Sequence, residues 1–260
     1  MTPEPATLVC FHHAGGGASA FRDWPGSLRS LCPGPPVQVR AVQLPGRESR
    51  IREPRQRDLG ELTRLLAGEL AELLEQPHIL FGHSMGALVA YSVAVHRLAA
   101  GCRPPQALLA TACAAPHVQC SALVPEAVDD DELAQRLHEI GGLPALLLQR
   151  SEWLIPLMAR LRDDLSVCRS GVPAHGRPLP CPIYAFGGMR DPLVSHEHLA
   201  AWRGYTANRF ELRMLDGGHF LVQELRSGLL TAVSEVVGAA RGFGRLSLPL
   251  ASGEEERCQR

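Results

Sequence analysis

Ile79-Leu80-Phe81-Gly82-His83-Ser84-Met85-Gly86-Ala87-Leu88-Val89-Ala90-Tyr91 decides how this chain is read. An apolar run of strand type meets a run of helix type, and the junction, Gly82 to Gly86, fits G-x-S-x-G. A sharp strand-to-helix turn lifts a serine hydroxyl off the end of a sheet. Glycines flank it because side chains there would collide with neighbouring backbone. Ser84 is therefore the candidate nucleophile. The plain alternative is a tight turn with an incidental serine, so the rest of the chain must be searched for what a reactive serine needs.

Working outward, short apolar strands alternate with helix-like runs. Strands are expected at Thr7–Phe11, Val37–Leu44, His78–Phe81, Ala107–Ala112, Ile183–Phe186 and Arg209–Leu215. A helix is expected from Ala20 to Leu31, with Phe21, Trp24, Leu28 and Leu31 on one face. Another runs from an Asp58 cap to Glu75, carrying Leu59, Leu62, Leu66, Leu70, Leu73 and Leu74. A third follows Ser84 to about Ala100, a fourth is capped by Ser195, and a last spans about 220–240. Apolar strands alternating with helices imply an α/β fold, with a mostly parallel sheet covered on both faces. The loops after the strands then share one edge, where sites form.

Residues 116–178 break this rhythm. Asp129-Asp130-Asp131 can cap a helix, Gly141-Gly142 interrupts, and Leu146–Val167 is leucine-rich with Pro156 expected to break it. This block reads as a helical lid inserted into a core formed by residues 1–115 and 179–240. Residues 241–260, ending near Glu254-Glu255-Glu256-Arg257, read as a frayed tail.

Composition narrows the function classes. With 260 residues, 45% apolar and 20% charged, the chain has the makings of one large globular unit. A net charge of −1 gives no global attraction to nucleic acid or to an anionic membrane, and neither is expected as a partner. All 26 basic residues are arginine, which excludes a catalytic lysine. No secretory leader and no long apolar span is visible, and eight cysteines without C-x-x-C spacing suit reduced thiols in a cytoplasmic protein. No metal or other cofactor is expected.

A serine hydroxyl needs a base and a carboxylate to orient that base. His219 follows the last strand on Gly217-Gly218, at the same sheet edge as Ser84. For the acid, Asp191 after the fifth strand and Asp216 after the sixth compete. Asp191 is preferred, because a neighbouring strand end can face the imidazole squarely, whereas Asp216 would have to fold back within a tight turn. The order Ser, Asp, His is the one expected of such a sheet. His83 adjoins Ser84 and is read as elbow packing; His196 and His198 are read as surface residues. The oxyanion formed in acyl transfer needs two N–H donors. They are expected from Met85 and from Ala14, in the loop His12-His13-Ala14-Gly15-Gly16-Gly17 after the first strand. That loop lacks G-x-G-x-x-G spacing and is not a dinucleotide site.

Phe11-His12-His13-Ala14-Gly15-Gly16, Leu44-Pro45-Gly46-Arg47-Glu48, Gly82 to Gly86, Phe186 to Val194 and Gly217-Gly218-His219-Phe220 together resemble the type II thioesterases of the α/β-hydrolase superfamily. These accompany polyketide synthases and nonribosomal peptide synthetases. The resemblance spans about residues 7–240, with His12 in place of the family's usual small residue. It implies an α/β-hydrolase fold and hydrolysis of acyl groups from the phosphopantetheine arm of an acyl or peptidyl carrier protein, met transiently by a monomer. It also implies catalytic roles for Ser84, Asp191 and His219, with the lid forming the acyl channel. His13, Arg47, Arg50 and Trp153 are then candidates for contact with substrate or carrier, since carriers are acidic and residues 47–57 are rich in arginine. A solvated loop with interleaved glutamates is the other reading of that arginine run. An oxygen-ester hydrolase of carboxylesterase or lipase type shares the triad and is the alternative activity; a non-catalytic binding protein on the same fold is a third reading.

Overall fold

The computed structural model describes residues 7–32, 34, 36–118, 128–171, 178–224 and 226–242. In chain order the elements are β1 (Thr7–Phe11), α1 (Trp24–Leu31), β2 (Gln38–Ala41), α2 (Leu59–Glu69), α3 (Ala71–Leu74), β3 (His78–His83), α4 (Met85–Ala99) and β4 (Ala107–Thr111). They continue with α5 (Asp130–Glu139), α6 (Ala145–Leu148), α7 (Ser151–Arg169), β5 (Ile183–Gly188), α8 (His196–Ala200), β6 (Phe210–Leu215), α9 (Leu221–Glu224) and α10 (Arg226–Ala240). Six strands form one sheet in the order β2-β1-β3-β4-β5-β6, and every pairing is parallel.

Parallel strands joined by helices must be apolar on both faces, and the period of two sorts their side chains. Val9, Phe11, Leu80, Leu108, Ala110, Ile183 and Ala185 face a core closed by α2, α4 and α8. Leu8, Cys10, Ile79, Phe81, Leu109, Tyr184 and Phe186 face the other, closed by α1 and α10. The inserted helices α5–α7 make a third, smaller cluster from Leu133, Leu143, Leu154, Met158 and Leu161. Ala14, after β1, packs against both this cluster and the main core.

Several elements differ from the periodicity reading. The first helix is a 3-10 turn at Ala18–Phe21 followed by α1, and Leu31 is 41% exposed rather than on the buried face. The helix capped by Asp58 steps at Leu70, where ψ is 6°, so α2 and α3 are separate. Pro156 does not break α7, which runs unbroken for 19 residues. Proline removes one intrahelical hydrogen bond, but Glu152, whose carbonyl is released, and Pro156 itself are solvent-exposed, so water can replace the donor. Asp129 and Ser195 cap α5 and α8 as expected, each accepting from the N–H three residues on. From residue 243 the expected tail lies outside the described residues, as do residues 119–127 and 172–177 of the insertion. Among the described residues no helix is long and apolar enough to cross a membrane.

Candidate active site

Ser84 sits between β3 and α4 at φ 53°, ψ −122°, a left-handed conformation that a non-glycine residue adopts only under constraint. The constraint is visible. Ser84 N–H donates to the Thr111 carbonyl on β4 at 2.8 Å, and Ala87 N–H donates to the Ser84 carbonyl at 2.9 Å. A Cβ on Gly82 would lie 2.3 Å from Ala87 Cα, and one on Gly86 would lie 2.1 Å from the Phe11 carbonyl oxygen. Only glycine fits at either place, and the second contact sets the end of β1 directly against the turn.

His219 follows β6, and its Nε2 lies 3.1 Å from Ser84 Oγ. Its Nδ1 lies 2.8 Å from Asp191 Oδ2, with the Asp191 side chain fully buried and that of His219 4% exposed. The other carboxylate oxygen, Oδ1, accepts from the Leu193 and Val194 N–H groups at 2.8 and 3.2 Å, which fixes the carboxylate plane. The two loops are zipped together: Met189 N–H donates to Leu215 O and Arg190 N–H to Gly217 O. Asp216 instead pairs with exposed Arg190 and turns away from the imidazole. His83, fully buried, has Nε2 2.8 Å from the His219 carbonyl, so this elbow residue also holds the histidine loop.

Met85 opens α4, so its N–H has no acceptor within the helix. Ala14 occupies the second position of a turn closed by Gly16 N–H to His13 O at 3.1 Å. Gly15, at the third position, has φ 77° while Ala14 does not have positive φ, which is a type II turn and favours glycine there. Gly15 lies under α7, where a Cβ would touch Leu161 at 3.5 Å.

Burial depresses the pKa of three neighbouring histidines. His83 is pushed down to about 3, by burial and then by His219. His12 is pushed down to about 4, by burial and then by the Arg47 guanidinium. His13 is held well below the usual range, first by burial and then by His83. His13 packs edge-to-face against His83 and Phe220.

The two arginines expected at a docking surface both have partners within the chain. Arg47 is 2% exposed and forks onto Asp164 of α7, with Nη1–Oδ2 2.6 Å and Nη2–Oδ1 2.7 Å. Arg50 is held by Glu53, Glu69 and the Gln43 carbonyl. Both charges are paired with carboxylates of this chain. Arg55 and Arg57 likewise converge on Asp163. His13 is also largely buried, while Trp153, on α7, is 61% exposed. Asp163 and Asp164 escaped the sequence reading. The available signal was position: Asp164 falls three residues after Leu161 and three before Val167, on the buried stripe of a helix, where a carboxylate demands a cation.

Comparison with known proteins fits this geometry. Residues 6–240 match the thioesterase domain family. The chain belongs to that thioesterase family. It is 35% identical to the gramicidin S biosynthesis protein of Aneurinibacillus migulanus, over 84% of this chain and 83% of that one. The structure of RedJ, a thioesterase from the prodiginine biosynthetic pathway in Streptomyces coelicolor, superposes with a TM-score of 0.80 at 35% identity, covering 89% of this thioesterase and 85% of that chain. BorB, a type II thioesterase from the borrelidin biosynthetic cluster, gives 0.76 at 31% identity, covering 91% and 96%. This thioesterase has the α/β-hydrolase fold of those structures and is of the type II class.

Proposed function

We propose that this thioesterase edits carrier-bound acyl groups in nonribosomal peptide or polyketide biosynthesis, using Ser84 as nucleophile, His219 as base and Asp191 as its orienting acid. The observation that carries the reading is the likeness to type II thioesterases along nearly the full length of both chains. The hydrogen-bonded series Ser84–His219–Asp191 supports the residue roles. His219 Nε2 takes the Ser84 proton as Oγ attacks the thioester carbonyl. The N–H groups of Met85 and Ala14 hold the oxyanion, each such donor contributing about 2.7–4 kcal/mol. The tetrahedral adduct expels the phosphopantetheine thiolate, which receives the proton from His219, and leaves an acyl-Ser84 ester. His219 then deprotonates a water, which releases the carboxylic acid and restores Ser84.

In this reading the inserted helices α5–α7 form the lid over the acyl site, and exposed Trp153 and Ile155 of α7 offer apolar surface to the acyl chain or the carrier arm. The enzyme acts as a cytoplasmic monomer. The test is a panel of acyl groups loaded on carrier protein, compared with matched oxygen esters. Faster release from the carrier, abolished by Ser84→Ala, is expected. Faster turnover of the oxygen esters would favour the carboxylesterase reading, and activity retained in Ser84→Ala would overturn the mechanism.

A further inference from the structure

The loop that carries Ala14 is held by groups outside it as well as by its own turn. Asp164 of α7, 2% exposed, accepts from Gly15 N–H at 2.7 Å through Oδ2, the oxygen that also receives Arg47 Nη1. Arg47 Nη1 reaches the Gly16 carbonyl at 3.3 Å, and Arg160 Nε donates to the Gly15 carbonyl at 3.1 Å. Further along, Gln43 accepts from Ala18 N–H at 3.2 Å, and Glu48 accepts from Ser19 N–H at 3.2 Å. Glu48 itself is at φ 44°, outside the usual region for a non-glycine residue. The peptide that follows Ala14 is thus fastened to the inserted helix by a buried carboxylate, and that carboxylate is held by a two-pronged guanidinium.

A buried ion pair is a poor device for stability alone, because well-packed apolar residues of similar volume do as well or better. It is a good device for direction. A carboxylate fixed by two parallel N–H···O bonds presents the remaining lone pair of each oxygen along a set line, and that of Oδ2 meets Gly15 N–H. We propose that Asp164 and Arg47 are positioning residues for the oxyanion hole: Arg47 orients Asp164, Asp164 fixes the Ala14–Gly15 peptide, and the Ala14 N–H is thereby aimed at the developing oxyanion. This rests on the reading of Ala14 as the second donor. It makes the placement of α7 part of the catalytic geometry, because the loop takes its position from a residue of the inserted helix.

The test separates direction from folding by using two double variants that both remove the ion pair and leave no unpaired buried charge. Arg47→Met with Asp164→Asn keeps an oxygen that can accept from Gly15 N–H; Arg47→Met with Asp164→Leu keeps none. Two readouts are taken: kcat on an acyl thioester, and the second-order rate of Ser84 labelling by a fluorophosphonate, whose phosphoryl oxygen occupies the oxyanion position whatever the natural substrate. The variant without an acceptor is expected to lose about 10- to 100-fold in both, because roughly 1 Å of misplacement is worth up to about 100-fold. The variant with the acceptor, no longer oriented by Arg47, should fall between that variant and the parent protein, with KM little changed in both and closely matching Tm values. Equal rates in the two variants would overturn the proposal, as would a rate difference matched by a proportional loss of folded protein. Labelling of the parent protein without thioester turnover would instead sink the thioesterase reading and leave the clamp to be judged from labelling alone. An unlabelled parent protein would sink both.

Discussion

Acidification should unfold this protein through its buried histidines. In an unfolded chain a histidine titrates near 6.5. In the folded protein His12 titrates at about 4 and His83 at about 3. Between pH 6.5 and about 4 the unfolded state therefore binds more protons than the folded state at both sites, and stability falls as pH falls. Each pH unit costs about 1.4 kcal/mol per histidine, so at pH 5.0 each contributes a loss of about 2 kcal/mol, together about 4 kcal/mol. That is a large share of the roughly 5–15 kcal/mol by which domains are stable. His12 is the cleaner site to perturb. Its Nδ1 lies 2.8 Å from the His13 carbonyl, while its buried Nε2 has no hydrogen-bond partner among the described residues. Arg47 adds to the burial effect, and Asp164 and Glu48 oppose it. The assay is urea unfolding at pH 7.5 and 5.0 for the parent protein and for His12→Gln. The variant should lose about 2 kcal/mol less between the two pH values. A uniform packing penalty cancels in that difference. If parent and variant show the same pH dependence, the proton linkage assigned to His12 is wrong.

Two further outcomes follow from the site. Asp191→Asn should lower kcat about 10⁴-fold, because the amide favours the wrong imidazole tautomer; Tm should hold, since the remaining oxygen can still accept from Leu193 and Val194, and a fall of less than tenfold would argue against Asp191 as the orienting acid. Gly86→Ala would place a methyl 2.1 Å from the Phe11 carbonyl oxygen, so thermal unfolding should show a loss of about 1–3 kcal/mol or more; an unchanged Tm would mean that the elbow is looser than its geometry indicates.

What was legible in the sequence was local. Strands such as Thr7–Phe11 and Ala107–Thr111 are continuous apolar runs, and the turn at Ser84 is written in its glycines. The meeting of Ser84, Asp191 and His219 follows from parallel strands, whose following loops share an edge. What was not legible depends on partners far along the chain. Arg47 looks like one more solvated arginine until Asp164, 117 residues away, is placed beside it. The step at Leu70 and the passage of α7 through Pro156 are decided by packing and solvent exposure, which periodicity alone does not encode.

The order of the strands has a consequence for how the enzyme comes to exist. From β3 onward the sheet is laid down in chain order, β3-β4-β5-β6, each new strand added at the growing edge. Synthesis delivers the N-terminal part first. A nascent chain that ends after β4 already carries Ser84, but neither Asp191 nor His219, and lacks the helix that fastens Gly15. The serine waits beside an empty place until the sixth strand arrives with its histidine. Birth of the protein and birth of its reactivity are thus separated in time, and a product truncated before the sixth strand lacks the histidine that Ser84 faces.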